Sequence, residues 1–314
     1  MLFRSILLNM GGADDLSQVE LFLKNMFNDP YILGIKNRKI RSVLAWLITK
    51  MRLKSATRNY TELGGKSPIG DITRSLIDKL NIKFGNENLT FDYAMNYTPP
   101  FAIDSLKKYK YADEILLFPL YPHHSRTTIV SSLDSANRAI KELSIKSNIK
   151  VINYFYKDER YNKIITSSIK EKIAEMNSSQ IDLIFSSHSL PKKIIEKGDL
   201  YETHTNEHVK IISDMLAKDG VKFNSISLAY QSRLGPVEWL GPNLSEVLSN
   251  LKSKKALIYP ISFCIDNSET DFELDIEYRK IADQKEFDYY EVVKAPDDSE
   301  AFVDYIVYKV KELV

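Results

Sequence analysis

Residues 181–191 read IDLIFSSHSLP, an apolar run that ends in a histidine and is closed by a proline. Short β-branched and aliphatic runs of this kind recur along the chain, with helical patterns between them. This alternation is typical of parallel strands joined by crossover helices. We therefore predict an α/β fold in which Ile181–Ser186 is a strand and His188 lies in the turn that follows it.

Seven further segments have strand character, which predicts eight strands divided four and four. They are Arg4–Asn9, Thr90–Ala94, Glu114–Pro119, Lys150–Tyr156, Ser225–Ala229, Ala256–Tyr259 and Tyr289–Val292. Apolar residues spaced three and four apart predict helices between them. These helices cover Gln18–Asn28, Tyr161–Glu175, Glu202–Lys218 and Ser299–Leu313. Ligands of such folds bind beyond the carboxyl ends of strands, so motifs that directly follow a strand are the candidate sites.

The division between the two halves is not marked by a linker. A mostly polar run, Ser144–Asn148, follows a predicted helix. We place an N-terminal α/β domain at residues 1–140 and a C-terminal α/β domain at residues 141–298. The C-terminal helix, residues 299–314, is expected to pack back on the first domain.

Composition excludes several classes of protein. The 43 basic and 42 acidic residues leave a net charge of +1, which argues against a nucleic-acid partner. The single cysteine, Cys264, cannot form an internal disulfide, and alone it cannot hold an iron–sulfur cluster or a structural zinc. No apolar stretch approaches the roughly 20 residues that span a bilayer. We predict a cytoplasmic protein, for which a peripheral contact with a membrane surface stays open; its oligomeric state is not determined.

Common catalytic motifs are also missing. The chain has no P-loop and no G-x-G-x-x-G after a strand, which argues against nucleotide chemistry. It also lacks G-x-S-x-G, H-E-x-x-H and C-x-x-C, which removes the commonest hydrolase and redox interpretations.

His188 is the first candidate functional residue because it follows a strand. An imidazole in this place can exchange protons near neutral pH, and it can bind a divalent transition metal when neutral. Alternatively, it only satisfies backbone groups in a tight turn.

An acidic cluster follows the strand Ala256–Tyr259. Its members are Asp266, Glu269, Asp271, Glu273, Asp275 and Glu277. Glu269, Glu273 and Glu277 are four residues apart and would form one stripe on a helix, with Asp266 as a further ligand at its start. Like charges at this spacing repel, so the stripe does not serve helix stability, whereas it suits passing a divalent cation inward. A solvated helix face is the competing interpretation.

Two further motifs have weaker signals. Pro119–Thr128 contains two adjacent histidines, a poor metal pair because neighbouring side chains of an extended chain point apart. We expect this loop, with Tyr121, to shape a wall and cap the next helix. Tyr60 is followed by Gly64–Pro68, where the paired glycines permit a tight turn under a flat ligand. Lys66 and Arg52 could meet ligand carboxylates or form surface salt bridges.

Six ordered blocks of this sequence resemble ferrochelatases, and the similarity covers nearly the whole chain. The blocks are Leu8–Gly12, Tyr60 with Gly64–Pro68, Pro119–Thr128, Phe185–Pro191 with Gly198-Asp199, Tyr230–Pro236 with Trp239, and Asp266–Arg279. The resemblance implies two similar Rossmann-like domains, each with a four-stranded parallel sheet flanked by helices, and a porphyrin cleft between them. It also implies a lyase of haem biosynthesis that inserts ferrous iron into protoporphyrin IX.

Residue roles follow from the same resemblance. His188 and Glu269 match the active-site pair assigned to iron, and Asp266, Glu273 and Glu277 match carboxylates proposed to conduct metal. Positions near the porphyrin are matched by Met10, Arg52, Tyr60, Ser67 and Tyr97, with Tyr121 in the predicted wall of the site. Asn96 departs from the family, because many relatives have arginine there. The cysteines that bind a cluster in some members are absent, so no cofactor is expected besides the substrate iron.

Other functions stay open at this point. They are a coproporphyrin-specific ferrochelatase, a non-catalytic carrier of haem or metal, and a related chelatase that loads cobalt. The length of the chain and the block at residues 119–128 argue against the last.

Overall fold

The computed structural model describes residues 2–86, 88–233 and 235–313. Four residues lie outside these ranges: Met1, Glu87, Leu234 and Val314. Met1 and Val314 are the ends of segments assigned to the predicted N-terminal domain, and Leu234 belongs to the Tyr230–Pro236 motif. The described chain divides into two compact units. The first runs to Tyr121 and adds Ser125–Tyr154 and the segment from Asp298 onward, and the second comprises Pro122–His124 and Phe155–Asp297.

The first unit contains a parallel sheet in the order β2-β1-β3-β4. Its strands are β1 (Phe3–Asn9), β2 (Leu89–Met95), β3 (Glu114–Pro119) and β4 (Asn148–Val151). The second unit contains a parallel sheet in the order β6-β5-β7-β8, which repeats the same winding. Its strands are β5 (Asp182–His188), β6 (Ser225–Gln231), β7 (Lys255–Pro260) and β8 (Tyr289–Val292). The predicted fold class is therefore confirmed.

Helices flank both sheets. In the first unit they are α1 (Val19–Phe27), α2 (Pro30–Leu33), α3 (Arg38–Glu62), α4 (Ile69–Phe84), α5 (Ala102–Lys107), α6 (Ser131–Glu142) and α12 (Glu300–Lys311). In the second unit they are α7 (Glu159–Lys172), α8 (Lys192–Ile195), α9 (Tyr201–Lys218), α10 (Leu244–Asn250) and α11 (Tyr278–Gln284). Short π-helices cover Arg126–Val130 and Glu269–Glu277, and short 3-10 turns cover Leu16–Gln18 and Ser178–Gln180. Within the described ranges, no helix has the length and apolarity that crossing a membrane requires.

The units divide later in the chain than the predicted boundary. Residues 140 and 141 fall inside α6, and β4 pairs with β3 in the first sheet. The predicted strand Lys150–Tyr156 ends at Val151, because Phe155 and Tyr156 are buried in the second unit and their amides bond to the carbonyl of Pro122. Phe155 and Tyr156, which continue the predicted strand in the sequence, are therefore part of the core of the second unit.

The C-terminal helix belongs to the first unit. On α12, the carboxylates of Glu300 and Asp304 lie 3.0 and 2.8 Å from Nζ of Lys83 on α4. Its buried face consists of Phe302, Val303, Tyr305, Ile306, Val307 and Val310.

Candidate active site

His188 is the last residue of β5 rather than part of a turn. The strand register places it opposite Gln231 of β6. Nδ1 of His188 lies 2.6 Å from Oε2 of Glu269, a residue 81 positions further along the chain. The His188 and Glu269 side chains keep 35% and 17% of their surface exposed, so the pair is accessible but mostly desolvated.

Glu269 begins the π-helix Glu269–Glu277, which continues into α11. The sequence predicts an ordinary helix here, whereas π-helical segments are rare and are found frequently at functional sites. Glu269 is mostly buried, Glu273 is half-buried and Glu277 is exposed. The three carboxylates therefore run in a graded line from solvent to His188.

Ser232 joins two of these carboxylates and was missed by the residue-by-residue prediction. Its Oγ lies 3.1 Å from Oε2 of Glu269 and 2.5 Å from Oε2 of Glu273. One hydroxyl proton cannot serve both carboxylates, so both contacts are hydrogen bonds when Glu273 is protonated and donates to Ser232. Ser232 has φ of +64°, a strained conformation of the kind that clusters at active sites. The signal available in the sequence was its position just after a strand.

The electrostatics of the cluster fit this chain of hydrogen bonds. Burial opposes the charged form of His188, but the adjacent Glu269 carboxylate and its hydrogen bond prevail and raise the pKa of His188 above its usual value. Burial likewise opposes ionisation of Glu269, yet His188 and Ser232 hold its pKa below the usual range. Burial, followed by repulsion from Glu269, raises the pKa of Glu273 to about 8. The shifts of His188 and Glu269 thus favour an imidazolium–carboxylate pair, and they place it beside a Glu273 that keeps its proton at neutral pH.

Gln231 holds the backbone at the start of the π-helix. Its Nε2 donates to the carbonyl oxygen of Glu269 at 3.3 Å, and its Oε1 accepts from Ser186 Oγ at 2.5 Å. Gln231 is fully buried, so these bonds link β5 and β6 to the residue that faces His188.

Asp266 does not join this cluster. Its carboxylate is 1% exposed and lies 3.2 Å from Nζ of Lys294, while Ala295 donates a backbone hydrogen bond to it. The amide of Asp266 donates to Asp297 at 2.6 Å. Lys294 is shared between Asp266 and Asp271, whose carboxylate lies 2.7 Å from the same Nζ, and the role of Asp266 toward metal remains a prediction.

The predicted metal ligands are not preassembled as a site. Among the described residues, no group of three or more His, Cys, Asp or Glu side chains is arranged to hold a metal ion. Nδ1 of His188 and Oε2 of Glu269 are hydrogen-bonded to each other, so the proton between them must leave before a cation can bind both of these atoms. Metal binding at these two atoms is therefore coupled to the loss of a proton.

Most residues predicted to contact porphyrin surround one turn of the first unit. The turn after β1 is held by the amide of Tyr97, which donates to the carbonyl of Met10 at 2.9 Å. The amide of Ala13 donates to the hydroxyl of Tyr60 at 3.3 Å, and the amide of Ser67 donates to the carbonyl of Ala13 at 2.8 Å. A side chain at Gly12 would lie 2.7 Å from Ser67 Oγ, so glycine permits this close approach.

Two tyrosines from this group have buried hydroxyls that make internal contacts. Tyr97 donates to Asp29 at 2.8 Å, and Tyr121 lies 3.3 Å from Ser132 Oγ. Asn96 donates to Ser131 at 2.8 Å, within the same network as Asp29. Arg52 lies apart from them, exposed on α3. The porphyrin roles of these residues remain predictions.

The loop motifs have mainly structural contacts. Ser125 caps the π-helix Arg126–Val130 by accepting from the amide of Thr127 at 3.2 Å. His123 Nε2 lies 2.9 Å from Nδ1 of His208 in the buried part of the second unit. Lys66 forms a surface ion pair with Asp71.

The chain is similar to known proteins over nearly its whole length. The family model described as Ferrochelatase matches residues 5–313. The chain is 56% identical over 306 residues to the ferrochelatase of Campylobacter concisus, covering 98% of this chain and 96% of that one. It is 51% identical over 310 residues to that of Campylobacter jejuni subsp. jejuni serotype O:2, covering 98% of both. It is 44% identical over 304 residues to that of Sulfurimonas denitrificans, covering 96% of both.

Solved structures with a similar fold are more distant in sequence. The sirohydrochlorin chelatase SirB from Bacillus subtilis subspecies spizizenii, in complex with cobalt, matches with a TM-score of 0.57 at 10% identity, covering 99% of this chain and 95% of that one. CbiX, described as the terminal enzyme of sirohaem biosynthesis in denitrifying bacteria, matches with a TM-score of 0.51 at 11% identity, covering 99% of both. At this identity the likeness shows the fold alone.

The two parallel four-stranded sheets, the contact between the imidazole at the end of β5 and a carboxylate of the helix after β7, and the matches to ferrochelatases together identify a metal chelatase. The chain belongs to the ferrochelatase family, as the family model and the close relatives show. It is therefore a lyase of haem biosynthesis, and a porphyrin and iron are its substrates.

Proposed function

We propose that this ferrochelatase inserts ferrous iron into protoporphyrin IX to form protohaem, with His188 and Glu269 acting at the reacting centre. The observation that carries this proposal is the continuous contact from His188 through Glu269 and Ser232 to Glu273. Glu277 lies further along the same helix, at its solvent end.

Insertion requires that two pyrrole N–H protons leave and that the iron exchange its water ligands for ring nitrogens. An arriving dication repels the imidazolium proton and stabilises carboxylate charge, so the cluster releases protons as the metal enters. Glu269 and Glu273 then provide oxygen ligands in place of water. Neutral His188 accepts the two pyrrole protons one after the other as general base, and Ser232 and Glu273 carry each proton toward Glu277 and solvent.

The test is iron insertion by His188→Ala and Glu269→Gln, with Asp283→Asn as a control that neutralises an exposed carboxylate on α11. Both site variants should lose turnover by roughly 10²-fold or more while binding porphyrin normally, because the loss concerns proton transfer and metal ligation. Near-parental turnover in either variant would refute the assignment. Parallel rates on protoporphyrin and coproporphyrin decide the substrate, and a faster coproporphyrin rate would favour the alternative enzyme. Metal or haem binding without turnover would favour a carrier.

No iron–sulfur cluster is part of the proposal, because the sole cysteine, Cys264, is buried. An absorption spectrum of anaerobically purified protein tests this, since a bound cluster would absorb in the visible range without added porphyrin.

We also propose a cytoplasmic enzyme that contacts a membrane through α3. Ile40, Val43, Leu47 and Met51 recur at helical spacing and are exposed, Met51 by 73%. From Arg38 to Thr61 the helix has seven basic residues and no acidic one. An exposed apolar stripe among cations suits the surface of an anionic bilayer.

Sedimentation with vesicles tests the membrane contact. Val43→Glu with Met51→Glu should abolish binding to phosphatidylglycerol vesicles, whereas Ile82→Glu, a change at an exposed apolar residue of α4, should not. Equal binding by all three proteins would contradict the proposal.

A further inference from the structure

The hydroxyl of Tyr201 supports the main chain of His188, and we infer that Tyr201 is a positioning residue for the His188 imidazole. Tyr201 Oη donates to the carbonyl oxygen of His188 at 3.0 Å. Tyr201 is the first residue of α9 and is buried, so water does not compete for this bond. The inference rests on the proposed role of His188 in catalysis.

Two serines fix the tyrosine hydroxyl. Ser187 Oγ lies 2.8 Å and Ser262 Oγ lies 2.7 Å from Tyr201 Oη, and the serine oxygens are 2.6 Å apart. The only proton of the tyrosine is used on the His188 carbonyl, so its oxygen acts toward the serines as an acceptor. The three hydroxyls tie together β5, α9 and the turn after β7.

The ring of Tyr201 is also held in place. The buried ring of His123 packs edge-on against it, with centroids 5.9 Å apart and planes at 89°. A rotation of the tyrosine that would break the bond to His188 is therefore opposed by packing on one side and hydrogen bonds on the other.

This support matters because His188 ends its strand. Gln231 holds the carbonyl of Glu269, and Tyr201 holds the carbonyl of His188. Each member of the 2.6 Å pair thus has its own main-chain anchor. Reacting groups lose rate steeply when they are displaced by a fraction of an ångström, so loosening one anchor should lower turnover more than it weakens substrate binding.

Tyr201→Phe removes the hydroxyl and keeps the ring. Its matched control is Tyr259→Phe on β7, a buried tyrosine whose hydroxyl has no hydrogen-bond partner among the described residues. With ferrous iron and protoporphyrin IX, Tyr201→Phe should lower kcat about tenfold and leave both KM values within about twofold. Tyr259→Phe should leave kcat unchanged. A kcat for Tyr201→Phe within about twofold of the parent would overturn the inference.

A double variant separates positioning from a general structural role. His188→Ala with Tyr201→Phe should be no slower than His188→Ala alone, because the group that Tyr201 positions is already gone. A further tenfold loss, on the order expected for an independent defect, would overturn the inference. Parental turnover in His188→Ala alone would instead refute the proposed role of His188.

Ser262→Ala provides a second route if Tyr201→Phe does not fold. It removes one donor to the tyrosine and leaves the tyrosine in place, so kcat should fall less than in Tyr201→Phe while the KM values stay the same. An unchanged kcat in this variant would count against the inference.

Discussion

The imidazole of His188 and the carboxylate of Glu269 share a hydrogen bond of 2.6 Å, although they lie on β5 and on the π-helix that follows β7. Each group shifts the pKa of the other, because the Glu269 carboxylate stabilises the imidazolium form of His188 and the imidazolium stabilises the ionised form of Glu269. A cation can bind Nδ1 of His188 and Oε2 of Glu269 together only after the shared proton leaves.

The pH dependence of metal use follows from this exchange. Because the pKa of His188 is raised, a proton competes with the metal up to a higher pH than an ordinary histidine would allow. We expect the KM for metal to fall by up to about tenfold per pH unit as pH rises toward that pKa. Anaerobic iron or zinc insertion at several pH values measures this, and the KM for porphyrin is the internal control. A metal KM that does not vary with pH would contradict the shared proton.

Ser232 is expected to support catalysis through its hydroxyl group and not through the conformation of its backbone. Ser232→Gly removes the link between Glu269 and Glu273 while relieving the positive φ, so the variant should be about 1 kcal/mol more stable. Its kcat should fall by roughly tenfold, because proton transfer along the cluster is interrupted. Ser144→Gly, at another serine with positive φ, is the matched control and should gain stability without losing activity. Full activity in Ser232→Gly would exclude a role for the hydroxyl.

Glu277 is expected to assist the entry of the metal ion and not the insertion step itself. It lies at the exposed end of the carboxylate line, so Glu277→Ala should raise the metal KM about three- to tenfold and change kcat little. Asp283→Ala, at an exposed carboxylate on the adjoining helix, is the control for general surface charge. If both variants have the same small effect, Glu277 is only part of a solvated helix face.

The sequence was most informative where local pattern and structure coincide. The strands Glu114–Pro119 and Tyr289–Val292 have the predicted bounds, because both are rich in the aliphatic, β-branched and aromatic residues that favour strands. The predicted strand Lys150–Tyr156 was too long at its end, because the alternation of apolar residues does not show in which of the two cores Phe155 is buried.

Contacts within the site were less predictable from sequence. His188 and Glu269 could be named from the family resemblance, but their contact depends on the parallel pairing of β5 with β7. Asp266 has the expected residue type, yet its environment is decided by Lys294, a residue 28 positions away that no local pattern connects to it. The π-helical hydrogen bonding of Glu269–Glu277 likewise has no signature in the sequence.

Glu273 should reduce the stability of the folded protein as pH rises. Its pKa is about 8 in the folded state and 4.5 ordinarily, so the folded state retains a proton that the unfolded chain releases between these values. The contribution of Glu273 to stability is therefore most favourable below pH 4.5 and is lost as pH rises to about 8. Glutamine keeps a similar shape and does not titrate.

Glu273→Gln should accordingly be ~1–3 kcal/mol more stable than the parent at pH 8, and the two should converge near pH 4.5, even though the variant loses activity. Urea unfolding at several pH values from 4.5 to 8 measures the difference. Glu277→Gln removes an exposed carboxylate from the same helix and should follow the parent throughout. If the free energy of unfolding depends on pH in the same way for Glu273→Gln and the parent, Glu273 is ionised in the resting enzyme. Proton transfer through Ser232 would then need another donor.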